Sequence, residues 1–297
     1  MKWRRRKRSG DLIDRRGAGP SGGGLGGLPI ARMGIPGLLL IGLMIFLGGN
    51  VFDDGGGGGG GGLDSILEQL QPPGGEAGSD PLPPEADPDA KLVDFMSFVL
   101  DDVQNFWQDT FEGSNRNYER AELVLFEQST QSGCGGATES IGPHYCPPDQ
   151  RIYLDLDFFR ELRNRFGAPG DFAQAYVLSH EVAHHVQNLL GLNDRVVQAP
   201  RDQQNEMSIR LELQADCFAG VWAFTVFQRN DLQGGDLQEG LDAAAAVGDD
   251  RIQKEATGRI DRESWTHGSS EQRTSWFSAG FENGDPNDCD TFGASAL

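Results

Sequence analysis

The chain has 297 residues and a formal net charge of −20, from 45 acidic and 25 basic side chains. The charge is uneven, because residues 1–33 hold nine basic and two acidic side chains, which leaves 16 basic and 43 acidic groups in the remainder. A body this acidic repels phosphate backbones, so nucleic acid is excluded as an expected partner.

The first element along the chain is an apolar run at residues 33–52 that contains no charge and is long enough to cross a bilayer. The basic side chains before it predict that the N-terminal end stays in the cytoplasm. A cleaved signal peptide is the alternative, but no convincing small-x-small cleavage site follows the run. We therefore expect a basic cytoplasmic arm at 1–32, a single transmembrane helix at 33–52 and a body outside the cytoplasm.

Residues 53–90 are rich in Gly and Pro and include eight consecutive glycines. Such a segment buries too little apolar surface to fold, so we expect a disordered linker that leads into one globular domain at 91–297. Hydrophobic periodicity within the domain predicts helices over 92–110, 158–166, 171–191, 204–227, 241–254 and 270–281, and strands over 121–127 and 151–157. Asp171 is the expected N-cap of its helix, and Gly191 its C-terminal stop. The predicted fold class is α+β, mostly helical with a small β-sheet.

Four cysteines, Cys134, Cys146, Cys217 and Cys289, form an even set in this body. Outside the cytoplasm disulfide bonds are the default expectation. The spacing alone leaves three pairings open, and no CxxC motif indicates a redox or structural zinc site.

The helix predicted over 171–191 carries His180, Glu181 and His184. Positions i and i+4 lie one turn apart on one helix face, so the two imidazoles can bind the same metal ion. Two histidines supply two of the four ligands of a tetrahedral zinc site. Glu181 is rotated by about 100° from His180, so its carboxylate reaches a water on the metal rather than the metal itself. This HExxH pattern predicts one Zn²⁺ per chain, with Glu181 as the general base.

The identity of the third ligand separates the possible classes of site. The metzincin extension needs Gly at 187 and His at 190, where this chain has Gln187 and Leu190. The other large class uses a Glu from a following helix, often with an Asp four residues later. Glu212 and Asp216 fit that spacing. We expect Glu212 to bind the metal and Asp216 to hydrogen-bond a ligand histidine, His180.

The remaining polar candidates have weaker cases. Glu206 is the alternative third ligand, but its i+4 neighbour Arg210 cannot accept a histidine proton. His267, in a loop between helices, could donate a hydrogen bond to the carbonyl oxygen of a substrate, and a tyrosine could do the same. His185 is turned away from the metal face, so a role in packing or at the surface is expected. His144 lies in the expected disulfide loop and is expected to be structural.

The chain resembles a known family in five segments: GPHYCP (142–147), SHEVAHHVQ (179–187), LELQADCFAG (211–220), THGSSEQR (266–273) and GDPNDCDTF (284–292). Together they resemble the bacterial neutral zinc metallopeptidase family (YpfJ-like). The resemblance implies a zincin-like peptidase of the two-His-one-Glu type, anchored in the bacterial inner membrane with its domain in the periplasm. It also favours the disulfide pairs Cys134–Cys146 and Cys217–Cys289.

The expected activity is the hydrolysis of a peptide or protein substrate, in which Glu181 takes a proton from the attacking water and passes it to the leaving amine. Residues 152–156 are the expected edge strand that pairs with an extended substrate. Two alternatives remain open: a non-catalytic envelope scaffold stabilised by zinc, and a zinc amidase acting on cell-wall peptides. The oligomeric state is not predicted.

Overall fold

The computed structural model describes residues 1–4, 7–17, 87–138, 142–164 and 170–297. The apolar run at 33–52 and nearly all of the expected linker lie outside these ranges. Within them, none of the helices combines the length and the apolar character that a bilayer crossing needs. The membrane anchor therefore stays a prediction.

The described residues are mostly helical, with a small sheet, which confirms the predicted α+β class. In chain order the elements are β1 Leu12–Asp14, α1 Ala90–Gly113, β2 Glu122–Phe126, β3 Ser129–Ser132, β4 Gly135–Thr138, β5 His144–Cys146, β6 Arg151–Asp155, α2 Asp157–Asn164, α3 Asp171–Leu189, α4 Asn193–Val197, α5 Gln204–Gln228, α6 Asp236–Ala246, α7 Asp249–Thr257 and α8 Ser270–Asn283.

The main sheet has the strand order β1-β2-β6-β5. Strands β1, β2 and β6 run parallel, and β5 is antiparallel to β6. The expectation that 152–156 is an edge strand is wrong, because β6 is hydrogen-bonded to β2 on one side and to β5 on the other. Its backbone donors and acceptors are used within the sheet, so β5 is the edge strand on this side.

Two helix boundaries differ from the sequence-based prediction. Gly170, in an extended conformation, is the N-cap of α3, and Asp171 is the first helical residue rather than the cap. The single helix predicted over 241–254 is wrong, since α6 and α7 are separated at Gly248. A Cβ atom on Gly248 would lie 2.4 Å from the backbone nitrogen of Ser270. Because Gly248 has no side chain, the start of α8 can approach the backbone between α6 and α7.

The closest helix pair, α5 with α8, meets through two glycines. A Cβ atom on Gly220 would lie 2.0 Å from the carbonyl oxygen of Phe277, and one on Gly280 would lie 2.0 Å from that of Cys217. The absence of side chains at both positions lets the two backbones touch. This contact fixes the position of α8 relative to the helix that carries Glu212.

Both disulfide pairs implied by the family resemblance are confirmed. Cys134–Cys146 joins the turn between β3 and β4 to edge strand β5, across 12 residues of chain. Cys217–Cys289 joins α5 to the C-terminal segment, across 72 residues. Because the entropy of loop closure grows with loop length, these bonds stabilise the fold by about 3 and about 4 kcal/mol respectively.

The described residues of the N-terminal segment, 1–4 and 7–17, pack onto the helical body. β1 pairs with β2, and the ring of Trp3 lies 5.3 Å from that of Phe95 on α1. The guanidinium of Arg16 is buried between the carboxylates of Asp14 and Asp87. The described part of the predicted basic arm is thus packed against the folded body.

Candidate metal centre

Three predicted ligands meet at one point between α3 and α5. The Nε2 atoms of His180 and His184 lie 3.1 Å apart. Glu212 places one carboxylate oxygen 3.3 Å from His180 Nε2 and the other 3.5 Å from His184 Nε2. All three residues are buried. Zinc bonds of about 2.0–2.1 Å in a tetrahedron give ligand separations of about 3.3–3.4 Å, so this donor set fits zinc.

Gln187 fixes the tautomer of His184. Its amide nitrogen donates to the carbonyl oxygen of Leu211 at 2.7 Å and to Gln214 Oε1 at 3.1 Å, which orients the amide. Gln187 Oε1 therefore accepts from His184 Nδ1 at 2.8 Å. A proton on Nδ1 leaves the Nε2 lone pair of His184 free for a metal. Sequence reasoning used Gln187 only to exclude metzincins, although its position three residues after His184 indicated a contact.

Asp216 orients the other imidazole, as the sequence predicted. His180 Nδ1 donates to Asp216 Oδ1 at 2.9 Å. The same carboxylate accepts two hydrogen bonds from the guanidinium of Arg273, at 2.8 and 2.9 Å, and one from the hydroxyl of Tyr176. Sequence reasoning missed Arg273 and Tyr176, although Arg273 ends the family-like segment 266–273. The carboxylate is fully buried, so these partners hold both it and His180 in place.

The electrostatics of the centre favour a cation. Burial lowers the pKa of His180, but the negative charges of Asp216 and Glu212 outweigh it and raise this pKa to about 9. Burial raises the pKa of Glu212, but His184 and His267 outweigh it and hold this pKa well below its usual value. Glu212 is therefore a carboxylate at neutral pH.

Glu181 is buried beside the donor cluster without belonging to it. Burial lowers the pKa of His144 on β5, and the negative charge of Glu181 opposes that shift. The negative charge of Glu181 thus acts on edge strand β5. The alternative ligand Glu206 is exposed and pairs with Arg210 at 2.8 Å, so the structure keeps it away from the cluster.

His267 approaches the centre from the loop before α8. Its Nδ1 donates to Asp249 Oδ1 at 3.2 Å, and its backbone N–H donates to Asp249 Oδ2 at 2.7 Å. Burial lowers the pKa of His267, but the negative charges of Glu212 and Asp249 outweigh it and raise this pKa. His267 is therefore a good hydrogen-bond donor near Glu212. Sequence reasoning missed Asp249, which lies 18 residues away in the chain.

The competing donors have other partners. Each tyrosine hydroxyl is hydrogen-bonded inside the fold: Tyr118 to Gln104, Tyr145 to Asn188, Tyr153 to Asp149 and Tyr176 to Asp216. His185 is buried, with hydrogen bonds to the hydroxyl of Tyr145 and the carbonyl oxygen of Glu119. Of the two roles expected for His185, packing and the surface, its burial therefore supports packing.

Comparison with known proteins extends these observations. Residues 1–292 match the family described as "Putative neutral zinc metallopeptidase". The Escherichia coli protein named "Uncharacterized protein YpfJ" is 41% identical over 302 residues, which cover 99% of this chain and 100% of that protein. The "Uncharacterized protein Mb2605" of Mycobacterium bovis is 47% identical over 206 residues, 66% of this chain and 69% of that protein. No solved structure matches the chain. The family match includes both the N-terminal segment and every residue of the candidate centre.

Proposed function

Because this chain belongs to the neutral zinc metallopeptidase family, we propose that it hydrolyses peptide bonds at the centre formed by His180, His184 and Glu212. The observation that carries this proposal is the number of converging donors. Among the described residues, the cluster contains three donors and no fourth His, Cys or carboxylate. Structural zinc sites use four protein ligands, whereas catalytic sites use three and keep one position open.

Each side chain of the centre has a distinct role in this mechanism. Zinc bound there would supply a Lewis acid that lowers the pKa of a water molecule and polarises the substrate carbonyl. Glu181 takes the proton of the attacking water and then returns it to the leaving amine. Asp216 and Gln187 hold the two imidazoles with their Nε2 atoms directed at the metal position. His267 donates to the carbonyl oxygen as negative charge develops on it.

We assign to edge strand β5 the role of pairing with the substrate, which the sequence had predicted for residues 152–156. It is paired on one side by β6, and the charge of Glu181 acts on its residue His144. An extended peptide that pairs with the other side of β5 would lie next to the general base. The Cys134–Cys146 bond holds the end of this strand.

We expect His267→Ala to lower kcat by about 10²–10³-fold with little change in KM, because the hydrogen bond of His267 forms chiefly as charge develops on the carbonyl oxygen. Zinc content should be unchanged, since His267 lies outside the donor cluster. Steady-state kinetics with a cleaved peptide, together with metal analysis, make the measurement. A loss confined to KM, or a wild-type kcat, would contradict this role.

The proposed activity is tested with purified full-length protein and two substrates, a mixed peptide library and cell-wall peptides. We expect library cleavage that stops on chelation, returns with Zn²⁺, and is absent from Glu212→Gln. Glu206→Gln is the matched control, since it makes the same change on the same helix at an exposed position. Cleavage of cell-wall peptides alone would indicate the amidase. Full zinc occupancy without cleavage of either substrate would indicate the scaffold and contradict the proposal.

Attachment to the bacterial inner membrane through residues 33–52, with the domain in the periplasm, also stays a proposal. Its support is the charge-free run of about 20 apolar residues, a length that suits the hydrocarbon core.

A further inference from the structure

A series of hydrogen bonds leads from His184 to the C-terminal segment, residues 285–294. Gln187 accepts from His184 Nδ1 at 2.8 Å, and its amide nitrogen donates to Gln214 Oε1 at 3.1 Å. The amide nitrogen of Gln214 donates in turn to the carbonyl oxygen of Cys289 at 2.9 Å. Gln187, Gln214 and Cys289 are all buried, so little water competes for these bonds.

The direction of this series is fixed by two backbone carbonyl oxygens, which can only accept. The carbonyl of Cys289 requires the amide nitrogen of Gln214, so the amide oxygen of Gln214 faces Gln187. The carbonyl of Leu211 likewise requires the amide nitrogen of Gln187, whose oxygen then faces His184. Turning over either amide would set two buried oxygen acceptors against each other. The carbonyl of Cys289 thus helps to keep a proton on His184 Nδ1.

The carbonyl of Cys289 is itself held against α5. A disulfide joins Cys289 to Cys217. Two residues further on, the hydroxyl of Thr291 donates to the backbone carbonyl of Arg210 at 2.6 Å, and the guanidinium of Arg210 donates back to the carbonyl of Thr291. Arg210, Gln214 and Cys217 lie at positions i, i+4 and i+7, so they share one face of the helix. This face of α5 binds the C-terminal segment.

We propose that Gln214 is a positioning residue of the metal centre, through which the C-terminal segment acts on His184. Imidazole binds zinc through a nitrogen lone pair, and partners that hold its other N–H in place strengthen the binding. The Cys217–Cys289 disulfide therefore supports the metal site as well as the fold. This inference rests on the metal-binding part of the proposed function and does not depend on peptide hydrolysis.

Gln214→Met tests the positioning of His184. Methionine has nearly the same length and volume as glutamine, but it can neither accept from Gln187 nor donate to Cys289. We expect the zinc affinity of the full-length protein, measured by competition with a chelator, to fall about tenfold. Gln228→Met is the matched control, because it makes the same change at the exposed end of the same helix and should leave zinc affinity unchanged. Wild-type zinc affinity in Gln214→Met would overturn the inference.

A double variant separates positioning from a general disturbance of the fold. In the Gln187→Met background the series of hydrogen bonds is already broken, so adding Gln214→Met should have almost no further effect on zinc affinity. A loss of about tenfold in both backgrounds would show that Gln214 acts on the fold as a whole, and would overturn its role in positioning His184.

The two disulfides test the part played by the C-terminal segment. Cys217→Ala with Cys289→Ala should lower zinc affinity by up to about tenfold, because the carbonyl of residue 289 loses its covalent anchor on α5. Cys134→Ala with Cys146→Ala is the matched control, since it removes a disulfide from a different part of the fold. We expect both double variants to unfold at a lower temperature than the wild type, but only the first to bind zinc more weakly. The same zinc affinity in both would overturn the role of the segment.

These outcomes are distinct from those that test the proposed function. Wild-type zinc affinity in the variants would overturn only the positioning role of Gln214. A wild-type protein that binds no zinc would contradict the metal centre itself, and with it both proposals.

Discussion

Glu181→Gln should retain one zinc per chain and lose peptide hydrolysis, with kcat reduced by about 10²–10⁴-fold. Glutamine has nearly the shape of glutamate and can still hydrogen-bond a water, but it cannot take a proton from it. Zinc binding should persist because Glu181 lies outside the cluster of His180, His184 and Glu212. Metal analysis and single-peptide kinetics on the same preparation measure both quantities.

Glu206→Gln is the control for this experiment. It removes the same negative charge at an exposed position that pairs with Arg210, so kcat and zinc content should match the wild type. Cleavage by Glu181→Gln at the wild-type rate would refute the role of Glu181 as general base. Loss of zinc together with activity would instead indicate that Glu181 supports metal binding.

Asp216→Asn should cost both stability and metal affinity. The buried carboxylate of Asp216 neutralises the guanidinium of Arg273 and orients His180. Without it Arg273 keeps a buried charge with no full counter-charge, so the free energy of unfolding of the zinc-free protein should fall by about 3–5 kcal/mol. Zinc affinity should fall about 10–100-fold, because His180 loses the acceptor that fixes its tautomer. Chemical denaturation and competition with a zinc chelator measure the two effects.

A double variant separates the two roles of Asp216. Asp216→Asn with Arg273→Met removes both charges, so it should recover part of the stability while zinc affinity stays low. Wild-type zinc affinity in the single variant would contradict the positioning of His180 by Asp216. Recovery of zinc affinity in the double variant would show that Arg273, rather than the lost hydrogen bond, disturbs the site.

The stability effect of Asp216→Asn should depend on pH in a definite direction. Burial raises the pKa of Asp216, but Arg273 and His180 outweigh it and lower this pKa below the usual 3.8. A carboxyl group whose pKa is lowered by folding stabilises the fold at any pH above its unfolded-state pKa. This stabilisation is lost as the pH falls through the folded-state pKa. The difference in free energy of unfolding between the wild type and Asp216→Asn should therefore be largest at neutral pH and shrink below about pH 3.8. Chemical denaturation of both proteins over this pH range measures it.

Local periodicity was enough to predict that His180, His184 and Glu212 come together in the candidate centre. His180 and His184 share a helix face because they are four residues apart, and Glu212 and Asp216 do so for the same reason. The predicted helices and central strands also agree with the structure, apart from the break between α6 and α7. That break depends on the approach of Ser270 to Gly248, a contact between distant parts of the chain.

The partners that complete the centre could not be predicted in this way. Arg273 reaches Asp216 from 57 residues away, because two glycines let α5 and α8 touch. The bond from His267 to Asp249 depends on how the loop before α8 folds back onto α7. The helical or strand period predicts contacts only between residues a few positions apart in the chain. Both of these pairs are much farther apart in sequence, so only the packed structure brings them together.

Residue types at fixed local spacings were enough to predict the candidate metal centre, through the HExxH helix and the Glu and Asp of the second helix, and to indicate disulfide bonds through the even set of cysteines. The packed structure determines which strand forms the edge, which side chains hold His180 and His184, and where residues 1–4 and 7–17 lie. Hydropathy and charge indicate whether a segment is suited to water, to a membrane or to a protein core. They do not indicate which residue it will contact. The burial of Arg16 against the carboxylate of Asp87 is such a partnership, formed across 71 residues and visible only in the folded chain.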